Sequence, residues 1–259
     1  MLTFPNCKIN IGLSITRKRP DGYHDLETVF YPVKELKDAL EVVAQNNPIQ
    51  KEAASLSLSG MAVAGNTKDN LVWKAYSRMK EVYREKIPAL DIFLHKAIPM
   101  GAGLGGGSAD GAFMLRLLND FCELNLSDET LAGMALKLGS DCPFFIYNTP
   151  QFATGRGEKM QSLSLDLSGY EIRIEAPGIH VSTRDAFAKI TPRPAAFDLR
   201  NLSVADIHNW KFYVVNDFEE SVFSLYPTLK KIKERFYEQG AVYASMSGTG
   251  SAVYGLFKK

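Results

Sequence analysis

Between residues 101 and 107 the chain carries five glycines, Gly101, Gly103, Gly105, Gly106 and Gly107. A stretch so poor in Cβ atoms makes a weak strand or helix interior, yet it is the backbone that brings several N–H groups close to an oxyanion. Residues 92–98, just before it, have strand character. After it, Phe113, Leu117 and Phe121 recur every four residues, and Met114, Leu118 and Cys122 widen the apolar stripe, which predicts a packed helix. Strand, glycine loop and helix in this order form an anion cradle, because the helix start adds the positive end of its dipole. The chain is therefore expected to mix α and β elements and to handle a nucleotide.

The loop satisfies G-x-G-x-x-G literally over residues 101–106, but a dinucleotide-binding fold wants an acidic residue at a strand end about twenty positions on. The corresponding residues, Leu126-Ser127-Asp128, read as a helix start. There is no G-K-[ST] ending either, so this is not a Walker A loop. Ser108 closes the stretch as either a helix N-cap or a hydroxyl for phosphate or Mg²⁺.

At 259 residues, with 46% hydrophobic and 23% charged residues, the composition is that of a folded chain. A net charge of +1 gives no general nucleic-acid surface, so any anion site is local. Neither an export signal in residues 1–8 nor a run of bilayer-spanning length is evident. The three cysteines, Cys7, Cys122 and Cys142, show no C-x-x-C spacing, and neither a disulfide framework nor a zinc cluster is indicated. A soluble cytoplasmic protein without nucleic-acid or membrane partners is expected; oligomeric state is open.

Strands are expected over residues 8–16, 26–33 and 39–43, with a reversal at Arg17-Lys18-Arg19-Pro20-Asp21-Gly22. A helix is expected over 70–85, and another from Ser127 to about Gly139, followed by a turn at Ser140-Asp141-Cys142-Pro143. Gly155-Arg156-Gly157-Glu158 is a candidate joint. Beyond it, strands are expected at 170–175 and 212–215, helices at 183–190 and 229–239, and closing strands around Gly248-Thr249-Gly250.

Three stretches together carry a family resemblance. Pro99-Met100-Gly101-Ala102-Gly103-Leu104-Gly105-Gly106-Gly107-Ser108-Ala109 resembles the phosphate-binding motif of the GHMP kinases, Lys8-Ile9-Asn10-Ile11-Gly12-Leu13 their N-terminal motif, and Met246-Ser247-Gly248-Thr249-Gly250-Ser251 their C-terminal one. The first motif departs from the common pattern, since Pro5 sits one position early while Lys8 and Asn10 keep their spacing. The resemblance implies an α/β (α+β type) two-domain fold, 1–154 being ribosomal protein S5 domain 2-like and 155–259 ferredoxin-like, with the active site in the cleft between them. Within the family, Arg19-Pro20-Asp21-Gly22-Tyr23-His24-Asp25-Leu26 and Gly139-Ser140-Asp141-Cys142-Pro143-Phe144-Phe145 are similar to signatures of members that phosphorylate a cytidine-diphosphate-linked sugar alcohol.

By that resemblance Lys8 and Asp141 are the catalytic pair, Asp141 accepting the acceptor hydroxyl's proton and Lys8 orienting the hydroxyl and screening charge. Lys96 and the run from Pro99 to Ala109 are assigned to ATP. Asn10, Tyr23, His24, Phe187, Gly248 and Thr249 are assigned to the acceptor, with cytosine between Tyr23 and Phe187 and its edge on His24. Mg²⁺ is expected with the nucleotide, and Ser108 is the only ligand named for it. Without the family, each residue has a plainer role. Asp141 is then a turn residue, Lys8 and Lys96 are solvated, Asn10 is a structural amide, Phe187 is core, and the closing glycines form a hairpin turn. A homoserine- or mevalonate-type kinase, a nucleotide-binding sensor without catalysis and a dinucleotide-dependent oxidoreductase are the alternatives.

Overall fold

The computed structural model describes residues 1–45, 54–63 and 65–259. In chain order the elements are β1 (Leu2–Thr3), β2 (Asn6–Lys18), β3 (His24–Lys37), β4 (Ala39–Ala44), β5 (Ala54–Gly60), α1 (Leu71–Tyr83), β6 (Leu90–Lys96), α2 (Gly106–Phe121), α3 (Asp128–Leu136) and α4 (Cys142–Tyr147). They continue with β7 (Gln151–Gly155), β8 (Lys159–Ser162), β9 (Tyr170–Glu175), α5 (Thr183–Phe187), α6 (Trp210–Tyr213), α7 (Phe218–Leu225), α8 (Pro227–Glu238), β10 (Tyr243–Met246) and β11 (Val253–Lys258). The chain divides into two compact units that interleave in sequence: residues 1–7, 34–100 and 105–148 form the first, and residues 8–33, 101–104 and 149–259 the second.

In the first unit a sheet in the order β1-β4-β6-β5 has β5 parallel to β6 and the other pairs antiparallel. Alternation on β6 turns Leu90, Ile92, Leu94 and Lys96 inward, and the first three supply core. Helix α1 starts at Asn70, whose side chain accepts from the Val72 N–H, and it buries Val72, Ala75, Tyr76 and Met79 at helical spacing. Helix α2 buries most of its length, as expected from its apolar stripe. Ser127 caps α3 through the Thr130 N–H, as predicted.

The second unit holds a sheet in the order β2-β3-β7-β8, of which residues 6–7 and 34–37 are counted with the first unit, and a sheet in the order β10-β11-β9. Leu13, Ile15, Phe218, Val222, Leu229, Ile232, Met246 and Val253 share one apolar core there. The β2–β3 turn falls where Pro20-Asp21-Gly22 predicts it, and Asp21 accepts from the Tyr23 N–H. Gly155-Arg156-Gly157-Glu158 forms the β7–β8 hairpin.

Two local expectations are corrected. Residues 212–215 are not a strand: Trp210–Tyr213 is a helical turn, closed by the Val214 N–H donating to the Trp210 carbonyl, and it buries Trp210 and Val214 while Phe212 stays exposed. The turn over residues 140–143 ends early, since α4 begins at Cys142 with Pro143 in its first turn, a position where proline lacks no needed N–H.

Candidate active site

Lys8 and Asn10 lie two apart on β2 and therefore face the same side. Both are buried, and the Lys8 Nζ donates to Asn10 Oδ1 at 2.5 Å and to the Gly103 carbonyl at 3.0 Å. Its ammonium also stands 5.0 Å from the Phe30 ring centre. Lys8 is thus not the solvated lysine of the plain reading. Asn10 donates from Nδ2 to Thr28 Oγ1 at 3.0 Å, and its backbone N–H reaches Ser247 Oγ at 3.2 Å.

The first half of the glycine loop is fastened to this spot. Leu104 accepts from the Lys8 N–H at 2.9 Å, and Ala102 accepts from the Ala252 N–H at 3.0 Å. Gly103 accepts from Ser247 Oγ at 2.8 Å, and with φ +79° a Cβ there would run into the Ser247 carbonyl oxygen. The β10–β11 turn that contains Gly248 and Thr249 is itself held by Asn216, whose Nδ2 donates to the carbonyls of Met246 and Gly248, each at 2.8 Å. The closing glycines do form a hairpin turn, and it is tied to Asn10 and the loop.

The second half of the loop opens α2 in the first unit. Gly105, at φ +71°, is the residue before the helix, so Ser108 is not the N-cap but stands inside the first turn, with Gly106, Gly107 and Ala109 around it. The Ser108 hydroxyl is hydrogen-bonded to the Cys142 thiol, whose burial pushes its pKa up to about 12 and leaves it without thiolate character. Asp141 stands before α4, half-buried, and accepts from Ser140 Oγ at 3.3 Å. Among the described residues no group of three or more His, Cys, Asp or Glu is placed to hold a metal ion.

Lys96 is buried, and so is not the solvated lysine of the plain reading. Its Nζ bridges Asp38 and Asp110, the latter at 2.6 Å, and Asp38 also accepts from the N–H groups of Ala97 and Ile98 at 2.6 and 2.8 Å. Burial pushes the Asp110 carboxyl up to about 8 against the pull of the Lys96 ammonium, and the Asp38 carboxylate adds to the rise. This cluster borders a cavity of about 250 Å³ walled by Leu58, Val63, Asn70 and Leu71, which Met100 and Gly107 also line. Pro99 and Gly101 lie on the approach to the loop, Pro99 half-buried and Gly101 exposed. The cavity wall is mostly apolar with several polar groups, the usual character of a small-molecule site.

In the second unit His24 and Phe187 come together, ring centres 4.7 Å apart and tilted by 32°. Phe187 also meets Phe218 edge-on at 4.8 Å, so it packs on the core as well as on His24. Tyr23 is exposed and carries the Arg156 guanidinium 4.6 Å above its ring. Sequence reasoning missed Thr28, Ser247, Asn216, Asp38 and Asp110 as parts of these constellations. Ser247 and Asp110 stand inside or beside quoted motifs, whereas Thr28, Asn216 and Asp38 carry no local signal, because their partners are distant in sequence.

The chain matches the family model for the GHMP kinases N terminal domain over residues 70–149 and that for the GHMP kinases C terminal over residues 198–259. It is 52% identical over 258 residues to a 4-diphosphocytidyl-2-C-methyl-D-erythritol kinase of Bacteroides thetaiotaomicron, covering 100% of this chain and 92% of the relative. The crystal structure of a 4-(cytidine 5'-diphospho)-2C-methyl-D-erythritol kinase is similar with TM-score 0.78 and 30% identity, over 99% of this chain and 90% of that one. A homoserine kinase from Cytophaga hutchinsonii matches at TM-score 0.71 and 16% identity, over 98% of this chain and 85% of that one, a likeness of fold alone.

Proposed function

The chain belongs to the GHMP kinase family, in its 4-diphosphocytidyl-2-C-methyl-D-erythritol kinase branch, and from that premise we propose that it phosphorylates the 2-hydroxyl of 4-diphosphocytidyl-2-C-methyl-D-erythritol with ATP. The products are the 2-phosphate and ADP, a step in non-mevalonate isoprenoid precursor synthesis. The observation that carries this reading is the convergence of all three motifs at one atom. The Gly103 carbonyl accepts from Lys8 of the first motif and from Ser247 of the third.

The adenine occupies the cavity beside Lys96, and the phosphates follow the loop from Pro99 to Ala109 toward the start of α2. Tyr23, His24 and Phe187 hold the cytosine, an arrangement supported by the His24–Phe187 contact. Asn10, Gly248 and Thr249 line the sugar-alcohol end. Lys8 orients the acceptor hydroxyl and offsets the charge of the incoming phosphoryl group. The hydroxyl oxygen bonds to the γ-phosphorus as the bond to the β–γ bridging oxygen breaks. The hydroxyl proton passes to Asp141, and in a loose transition state it leaves late, so positioning contributes more than basicity. Magnesium, when bound with the nucleotide, would offset charge on its phosphates. Ser108 is the single protein oxygen proposed for it, although its hydroxyl is engaged by Cys142 and no group of three or more metal-ligating side chains stands among the described residues. The family matches, at 70–149 and 198–259, fall on either side of the proposed domain division 1–154 and 155–259.

The test is to incubate the protein with ATP, Mg²⁺ and the cytidine diphosphate substrate, following ADP and the phosphorus resonance of the 2-phosphate, with homoserine and mevalonate in parallel. Cytidine-dependent turnover is expected. Turnover on homoserine or mevalonate alone would reassign the acceptor, and nucleotide binding without any turnover would leave a sensor.

A further inference from the structure

Asn10 has a side chain whose two ends look alike and act oppositely: Oδ1 accepts and Nδ2 donates. Lys8 has only protons to offer, so the end that meets its ammonium must be the oxygen. That requirement is satisfied by the 2.5 Å contact to Oδ1, but the lysine does not by itself stop the amide from rotating.

What stands at the other end decides the rotation. Thr28 on β3 is fully buried, and its hydroxyl donates its single proton to the Gly12 carbonyl at 2.5 Å. With that proton committed, the hydroxyl presents only lone pairs toward Asn10, and only the Nδ2 end can meet it, at 3.0 Å. A flipped amide would set oxygen against oxygen at Thr28 and N–H against ammonium at Lys8, among three buried side chains where such opposition is costly. Gly12 presents that acceptor from within β2 at a left-handed φ of +64°.

We infer that Thr28 is a positioning residue for phosphoryl transfer: through the Gly12 carbonyl it fixes the amide of Asn10, and through Asn10 it fixes the ammonium of Lys8 at the acceptor hydroxyl. This inference rests on the role proposed above for Lys8. It assigns a function to a threonine that touches no substrate and lies outside every motif that identifies the family here.

The effect belongs to the chemical step rather than to nucleotide binding. Small misplacements of a group that acts on the reacting oxygen lower kcat by about ten- to a hundredfold. Thr28→Val keeps the shape and removes both hydrogen bonds, Thr28→Ser keeps the hydroxyl, and Thr28→Ala removes the hydroxyl without placing a second methyl near Gly12.

Steady-state kinetics with ATP and the cytidine diphosphate substrate are measured for all three variants, together with the side-chain amide resonances of Asn10, identified by their loss in Asn10→Asp. The expected result is a kcat lowered at least ~tenfold in Thr28→Val and Thr28→Ala with the ATP KM changed less than about twofold, and a Thr28→Ser enzyme within about twofold of wild type. The Asn10 amide protons should exchange slowly in wild type and Thr28→Ser and rapidly in the other two. A kcat near wild type in either hydroxyl-free variant, or an equal loss in Thr28→Ser, overturns the inference; the alanine variant decides if the valine variant does not fold. A wild type that never turns over the cytidine substrate sinks the functional reading instead, and this inference with it.

Discussion

Asp110 concentrates the electrostatic strain of the first unit in a single proton. An aspartate in an unfolded chain titrates near about pH 4, whereas burial holds this one at about 8. Between those values the folded protein keeps a proton that the unfolded chain has lost, so the group's stabilising contribution is complete below about pH 4 and falls as pH rises to about 8, at ~1.4 kcal/mol per pH unit. Asp110→Asn is neutral throughout, so its melting temperature should stay flat where that of wild type declines, and the two should run parallel above pH 8. Parallel curves across the whole range would mean that Asp110 is charged in the folded protein. Phe187 permits a different separation, because it serves both His24 and the core residue Phe218. Phe187→Leu retains apolar bulk and removes the ring face. The KM for the cytidine substrate should rise roughly two- to tenfold, the equivalent of the ~0.5–1.5 kcal/mol that an aromatic pair contributes, with little change in melting temperature. An unchanged KM would return Phe187 to the core alone.

The glycine loop is an element whose residues are glycine for different reasons, and the difference is measurable. At Gly103 the protein itself forbids a side chain, through φ +79° and the Ser247 carbonyl, so Gly103→Ala should destabilise by at least ~1–3 kcal/mol in chemical denaturation. At Gly107 an added Cβ meets nothing, and the residue sits in the first turn of α2. Gly107→Ala should therefore stabilise by ~0.5–1 kcal/mol while raising the ATP KM, since only a bound phosphate competes for that space. If the KM does not move, Gly107 is not part of the phosphate path. Loop, flanking strand and helix are legible in the sequence because glycine density and apolar spacing are local properties. Residues 212–215 mislead for the same reason: Phe-Tyr-Val-Val has strand composition, but a strand would put Trp210, Phe212 and Val214 on one face, whereas the helical turn buries Trp210 and Val214 and leaves Phe212 exposed. Lys96 shows the limit most plainly. Nothing near it in sequence announces that Asp38, 58 residues away, will neutralise it.

At the scale of the molecule, the two residues proposed to act on one hydroxyl belong to different compact units. Lys8 belongs to the second compact unit and is fixed by Asn10 and Gly103; Asp141 belongs to the first and is fixed at the start of α4. Such a division makes stability and catalysis respond differently to the same pair of substitutions. Lys8→Ala deletes hydrogen bonds to two buried acceptors, both still within reach of Ser247, and should cost about 1–3 kcal/mol of stability. Asp141→Asn is isosteric and retains an acceptor for Ser140, and its cost is read from the same unfolding curves. Where two side chains act independently on folding their stability losses add in the double variant, and a departure from the sum measures their coupling in the folded protein. Turnover should not follow that rule. Groups that act together on one transition state lose most of their joint effect when either is removed, so the double variant's single-turnover rate should lie near that of the slower single variant. The experiment is phosphoryl transfer with both substrates saturating, alongside denaturant unfolding of the same four proteins. Multiplying rate losses would separate Lys8 from Asp141 in mechanism, and an Asp141→Asn rate near wild type would remove the aspartate from the chemistry altogether.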